Sequence, residues 1–172
     1  MLRRAMEANP KDANAPYLLG CLLYDNQPEN AIVAWEESRQ RNGTFALTHR
    51  NLALAYAQHR KDVPKAIASL EQAVALDPAE PRFNYELDVQ YEAGGAPVSK
   101  RLEMLSKHHE IVARRDDALT REIVLLTVAG QPGRAFELLR GRHFRNWEGS
   151  SQIHSVYAVS YTHLTLPTSD LV

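Results

Sequence analysis

The sequence predicts an all-α protein made of antiparallel helix pairs that repeat along the chain. Apolar residues recur at the spacing of one helix face throughout the first 145 residues. Four large residues stand 35, 35 and 34 positions apart: Trp35, Leu70, Leu105 and Leu139. A second set of residues, on the alternate helices, is spaced by 33 and 35: Leu19, Leu52 and Leu87. Two independent positions that keep one period indicate repeated structural units.

Proline, glycine and capping residues divide this pattern into helices. Asp62 is a suitable cap for a helix with Pro64 in its first turn, and Pro78 prevents that helix from continuing. Gly94-Gly95 and Gly130 mark later joints. Met1 to Pro10 is interpreted as the second helix of a pair. The other helices are predicted near residues 15–25, 29–41, 45–59, 64–76, 82–93, 98–113, 117–129 and 133–142.

One copy of the repeat resembles the tetratricopeptide motif. It reads Leu52-Ala53-x2-Tyr56, then Ala66-x3-Leu70-x2-Ala73, then Asp77-Pro78, and Leu19-Gly20 opens the preceding copy. The resemblance covers about residues 1–145 and implies a right-handed superhelical array, an α-solenoid of about four repeats. It departs from the motif where large polar residues replace small ones, and looser packing is expected there: Arg101, His108 and Arg142.

We expect residues 1–150 to form this repeat domain and residues 151–172 to hold the start of a further helix and an irregular tail. Because the first helix lacks its partner, the chain is expected to be cut from a longer array. Val159 to Thr168 resembles a translated sequencing-adapter sequence, as found at the ends of metagenomic reading frames, and is excluded from functional reasoning. The alternative is an ordinary edge strand or tail.

Composition excludes several classes of function. The 172 residues carry a formal charge of −1, so the chain lacks the broad positive field of sequence-independent nucleic-acid binding. No apolar run is long enough to span a bilayer, and the first residues do not form a secretory signal. The single cysteine excludes an internal disulfide. These features favour a cytoplasmic protein without a membrane partner.

The candidate chemical groups do not form a catalytic or metal-binding pattern. His108 and His109 are adjacent, so they point about 100° apart on a helix and cannot share one ion. Cys21 follows Gly20 on an apolar helix, where we expect a buried, unreactive thiol. No catalytic, cofactor-binding or metal-ligating residues are predicted, and the chain is not expected to be an enzyme.

The resemblance implies that the first helix of each pair lines a concave groove where a peptide or a neighbouring domain docks. Aromatic, amide and arginine side chains at these positions suit peptide recognition. The groove residues are Tyr17, Tyr24, Arg50, Asn51, Gln58, Arg82, Tyr85 and Arg121, with Cys21, Leu54 and Val89 beside them. The alternative is a hydrated inner surface without a ligand.

A second candidate site is the basic and aromatic cluster of Arg142, His143 and Trp147. It could hold an anion or stack a base or sugar, or Trp147 could simply fill the next joint. The run from His143 to Gly149 resembles the C-terminal repeat arm of large bacterial proteins with a β-rich domain of unknown function (DUF5107). That resemblance implies that the chain is an arm whose partner domain, related to carbohydrate chemistry, lies outside it.

These observations favour a protein-interaction or scaffolding module within a larger bacterial protein. The first alternative is the noncatalytic arm of a carbohydrate-active, mutarotase-like multidomain protein. The second is an RNA-binding repeat, since pentatricopeptide repeats share this period. The near-neutral charge and the Ala-x3-Leu-x2-Ala run oppose the RNA alternative.

Deleting residues 159–172 tests the exclusion of the tail. We expect the melting temperature to stay unchanged, because a translated adapter makes no native contacts. Thermal unfolding followed by circular dichroism measures this, and a loss of several degrees would show that the tail belongs to the fold.

Overall fold

The computed structural model describes residues 2–144, and the regular secondary structure of this part of the chain is all helical. Its helices are α1 (Leu2–Ala8), α2 (Asn14–Leu23), α3 (Pro28–Arg41), α4 (Ala46–Ala55), α5 (Val63–Leu76), α6 (Pro81–Ala93), α7 (Val98–Lys107), α8 (His109–Val112), α9 (Asp116–Val128) and α10 (Pro132–Leu139). The chain divides after Gly94 into two compact units. The predicted domain bounds at residues 150 and 151 lie outside the described residues and stay predictions.

The first unit is a series of packed helix pairs. α2 packs on α3 and α4 packs on α5, while α1 lies against α2 and α6 against α5. The two pairs are joined by the contact between α3 and α4. Each pair therefore covers apolar surface of the next, as expected of a repeat whose units cannot bury their own apolar faces.

Small residues let the two helices of a pair approach closely. A Cβ atom on Gly20 would lie 2.4 Å from the indole Nε1 of Trp35, so the ring of α3 occupies the space above α2. The same indole donates to the carbonyl oxygen of Tyr17 at 3.1 Å and is 2% exposed. In the next pair Ala66 and Ala73 of α5 are fully buried on either side of Leu70. The predicted small-and-large pattern is confirmed in both pairs.

One tertiary hydrogen bond recurs with the period of the repeat. The Tyr56 hydroxyl donates to the Glu36 carboxylate, and 35 residues later the Tyr91 hydroxyl donates to Glu71 Oε1 at 2.7 Å. Burial and the adjacent carboxylate raise the pKa of Tyr56 to about 12. Each bond ties the end of a first helix to the second helix of the preceding pair.

The first helix of the second pair ends in an irregular turn. α4 continues as a π-helical segment over Tyr56–Arg60, and Lys61 then takes a left-handed conformation with φ of 55°. Asp62 follows, and its Oδ1 accepts a hydrogen bond from the backbone N–H of Lys65 at 3.1 Å, which caps α5. The capping role predicted for Asp62 is confirmed.

The second unit contains α7 to α10, with α9 in contact with α7, α8 and α10. The single helix predicted over 98–113 is wrong, because the structure breaks it at His108 into α7 and α8. The break coincides with a buried carboxylate. Glu122 is 1% exposed and accepts hydrogen bonds from Ser106 Oγ at 3.0 Å and His109 Nδ1 at 2.8 Å. Both donors flank the break, which brings them to this acid.

The last described helix is shorter than predicted. α10 ends at Leu139 rather than at residue 142, and Gly141 takes a φ of 71°. Arg142 then leaves the helix direction, and its Nη2 donates to the carbonyl oxygen of Ala113 at 2.5 Å. The other helix bounds lie within a few residues of the predicted ones. α2 ends at Leu23 rather than at residue 25, and the last residues of the helix predicted over 45–59 are π-helical.

Gly20→Ala tests the close approach of α2 and α3. The added methyl group would overlap an indole that is buried and hydrogen-bonded, so we expect a loss of about 1–3 kcal/mol of unfolding free energy. Urea denaturation measures the loss. Gly43→Ala is the matched control, because its Cβ would meet nothing nearer than 3.7 Å. Equal stability of the two variants would contradict this packing.

Candidate functional site

Helices α2, α4 and α6 alternate with the second helices α3 and α5 in the first unit. Hydrogen bonds connect their side chains across the helices: Tyr24 to Gln58, Asn51 to Cys21, and Arg50 to Glu86. We call the surface that these helices share the first-helix face. Its residues are Tyr17, Leu18, Cys21, Tyr24, Leu47, Arg50, Asn51, Gln58, Arg82, Tyr85 and Glu86.

Two arginines share one carboxylate on this face. Arg50 donates to Glu86 through Nε at 2.8 Å and Nη2 at 2.5 Å, and Arg82 donates to Glu86 Oε1 at 2.9 Å. The Arg50 and Glu86 side chains are 15% and 18% exposed, whereas Arg82 is 52% exposed. The hydrogen bonds that Arg50 donates to Glu86 raise the pKa of Arg50 against the opposing effect of burial. The cluster keeps one net positive charge on its most exposed member.

Aromatic packing holds Tyr24 in place at the C-terminal end of α2. The Tyr24 ring lies 5.3 Å from Trp35 and 5.1 Å from His59, measured between ring centroids. Its hydroxyl donates to Gln58 Oε1 at 2.7 Å. Burial raises the pKa of Tyr24, and the nearby Asp25 carboxylate adds to this rise. Tyr24 and Gln58, both predicted site residues, therefore form one hydrogen-bonded pair between neighbouring repeats.

Tyr17, Cys21 and Asn51 lie together at the middle of the face. Asn51 Nδ2 donates to Cys21 Sγ at 3.6 Å, and the Tyr17 ring lies 4.8 Å from Phe45. Burial, followed by the Cys21 thiol, raises the pKa of Tyr17. The prediction that Cys21 is buried is wrong: its side chain is exposed. It stands three residues before Tyr24, on the open side of α2, while Gly20 faces Trp35.

Sequence reasoning missed three residues of this surface. Glu86 joins Arg50 to Arg82, and its position four residues after Arg82 on a helix was the available signal. Leu18 and Leu47 are 49% and 44% exposed although both belong to apolar helices. Their helical spacing from Cys21 and Arg50 puts them on the open side of α2 and α4.

The remaining predicted site residues lie on α6, on α9 and after α10. Tyr85 is half-buried on α6, one residue before Glu86, and Arg121 is half-buried on α9 in the second unit. In the second predicted cluster Arg142 lies 5.6 Å from the Phe144 ring and 3.4 Å from Asp116 Oδ1, whereas His143 is exposed. Trp147 lies outside the described residues, so this second site stays a prediction.

A cavity of about 360 Å³ lies between α1, α2 and α3. The apolar wall of this cavity is formed by Met6, Leu19, Leu23 and Val33, and Arg41 forms its polar edge.

Within residues 2–144 no three histidine, cysteine or acidic side chains are grouped so that they could hold a metal ion. Among the helices described, none has the length and apolar character needed to cross a bilayer.

A double-mutant cycle on Arg50 and Glu86 tests the central cluster. The pair is mostly buried and doubly hydrogen-bonded, so we expect a coupling of about 1–2 kcal/mol in unfolding free energy. Chemical denaturation of both single alanine variants and of the double variant measures it. Arg60 and Glu29 form a control pair of the same chemistry at 36% and 62% exposure, where the coupling should be smaller. Equal couplings would contradict the assignment.

No family model matches the chain. Its structure is similar to several solved structures of tetratricopeptide-repeat proteins. A crystal structure of MamA superposes with a TM-score of 0.66 at 17% sequence identity, covering 96% of this chain and 88% of MamA. YrrB, described as a TPR protein with an unusual peptide-binding site, gives a TM-score of 0.68 at 17% identity, covering 94% of this chain and 76% of YrrB.

PilF of Pseudomonas aeruginosa gives a TM-score of 0.64 at 19% identity, covering 91% of this chain and 71% of PilF. Identities this low establish the fold and nothing further. The recurring helix pairs, the small residues between them and these similarities agree. The chain has a tetratricopeptide-like, all-α repeat fold.

Proposed function

We propose that this chain is a noncatalytic protein-interaction module that binds a peptide, or a neighbouring domain of the same polypeptide, on its first-helix face. The observation that carries the proposal is the alignment of α2, α4 and α6. Hydrogen bonds between Tyr24 and Gln58 and between Arg50 and Glu86 hold neighbouring helices in register.

The chemistry of the face supports peptide recognition. Asn51 offers amide donors and acceptors, and Tyr17 offers a half-buried ring. Stacking area and directional hydrogen bonds in one place are the usual requirements of a specific peptide site. Because ion pairs and ring contacts already restrain many of these side chains, little conformational entropy would be lost on binding.

Similarity to YrrB adds support, since that protein is described as having a peptide-binding site on a repeat fold. Membership of a larger bacterial protein follows only from the sequence resemblance and is part of the proposal. The carbohydrate-related arm and the RNA-binding repeat stay alternatives from the sequence, and no contact among the described residues favours either one.

Selection from a random dodecapeptide display library tests the proposal. We expect selected peptides to bind the chain in solution, and the Asn51→Ala, Gln58→Ala double variant to weaken them about three- to tenfold, because hydrogen-bond partners are removed. Fluorescence anisotropy with synthetic labelled peptides measures the dissociation constants.

Gln72→Ala is the matched control, since Gln72 is an exposed amide on α5, a second helix of a pair. Its affinity for the selected peptides should equal that of the unaltered chain. A selection without binders, or binders that respond to Gln72→Ala and not to the double variant, would count against the first-helix face.

A further inference from the structure

We infer that the preferred partner of the first-helix face is an extended peptide with an apolar side chain followed, about three residues later, by an acidic one. This inference rests on the proposed function and adds the chemistry of the ligand. It depends on a gradient across α2, α4 and α6, from exposed leucines to a half-exposed arginine in a cluster with one net positive charge.

The apolar part of the gradient consists of Leu18 and Leu47. They are 49% and 44% exposed, so both present apolar surface to solvent, as Leu22 of α2 does at 71%. Leu18 precedes Cys21 by three residues and Leu47 precedes Asn51 by four, and Cys21 and Asn51 are in contact. Since side chains three or four apart share a helix face, the two leucines lie on neighbouring helices one turn before this contact.

The charged part of the gradient is Arg82 on α6. Arg82 follows Leu47 by 35 residues, one repeat, and so occupies the equivalent position on the next helix. Glu86 pairs with both Arg50 and Arg82, so one positive charge of the cluster stays without a carboxylate of its own. At 52% exposure Arg82 can accept a second carboxylate without first breaking its bond to Glu86.

Charge sets the direction of the ligand. Arg50, Arg82 and Glu86 together carry one net positive charge on α4 and α6, whereas α2 ends next to the Asp25 carboxylate. An acidic side chain is therefore attracted to the α6 side of the face. The overall charge of −1 gives no general field for anions, so the attraction is local.

Helix spacing sets the separation of the two anchors. Packed helices lie about 8–10 Å apart, and an extended chain rises about 3.3 Å per residue. A peptide crossing the helices thus needs about three residues to reach from Leu47 on α4 to Arg82 on the neighbouring α6. Its side chains at those two points would meet an apolar and a cationic surface in turn.

Labelled octapeptides test this inference on the full chain. The probe is Ser-Gly-Leu-Ser-Ala-Glu-Gly-Ser, with analogues that carry Gln or Lys in place of Glu, or Ser in place of Leu. We expect the Glu peptide to bind about fivefold more tightly than the Gln peptide, as one half-exposed ion pair allows. Replacing Leu by Ser should weaken binding by about tenfold.

Protein variants separate the two anchors. Arg82→Ala should remove the preference for Glu over Gln, and Arg82→Glu should make the Lys peptide the tightest binder. The Leu18→Ser, Leu47→Ser double variant should lose the leucine preference and keep the acid preference. Arg39→Ala is the matched control, because Arg39 is 47% exposed and pairs with Glu36 on α3, outside this face.

Equal binding of the Glu and Gln peptides, an unchanged preference in Arg82→Ala, or no binding at millimolar peptide would overturn the inference. Displacement of the peptide by single-stranded RNA at equal concentration would also overturn it, in favour of a nucleic-acid ligand. If library peptides lacking this pattern still respond to Asn51→Ala, Gln58→Ala, the inference fails while the proposed function stands. If no peptide responds to either set of variants, both fail.

Discussion

The first unit depends on close contact between a small residue on one helix and a large one on its partner. Gly20 leaves the space that the Trp35 indole fills, and the fully buried Ala66 and Ala73 flank Leu70 in the next pair. No pair encloses an apolar core of its own, so each is stable only against its neighbours. The recurring bonds from Tyr56 to Glu36 and from Tyr91 to Glu71 reinforce the same joints.

This packing also produces the candidate binding surface. A helix that presents one side to its partner and another to the next pair leaves a third side open, and the repeat aligns these open sides on α2, α4 and α6. Contacts such as Tyr24 with Gln58 and Arg50 with Glu86 follow from that alignment, because they join residues 34 and 36 apart. Fold and site are consequences of the same period.

The second unit departs from the repeat pattern by burying a carboxylate at a core position. Glu122 stands 35 residues after Leu87, where the repeat otherwise places a buried leucine. A carboxylate without water needs donors, which here come from Ser106 and His109 on either side of the helix break. At this position the buried carboxylate therefore coincides with a break between α7 and α8 that brings both donors to it.

The sequence by itself determined the period, the joints and most helix bounds, since these depend on local spacing and on proline, glycine and capping chemistry. It also predicted a face of first-helix residues, without Glu86, Leu18 and Leu47. Only the tertiary structure decided what those side chains do: Glu86 joins two arginines, Cys21 is exposed, and Leu18 remains uncovered. The contact between Arg50 and Glu86 joins residues 36 apart on different helices, so the spacing within one helix does not reveal it.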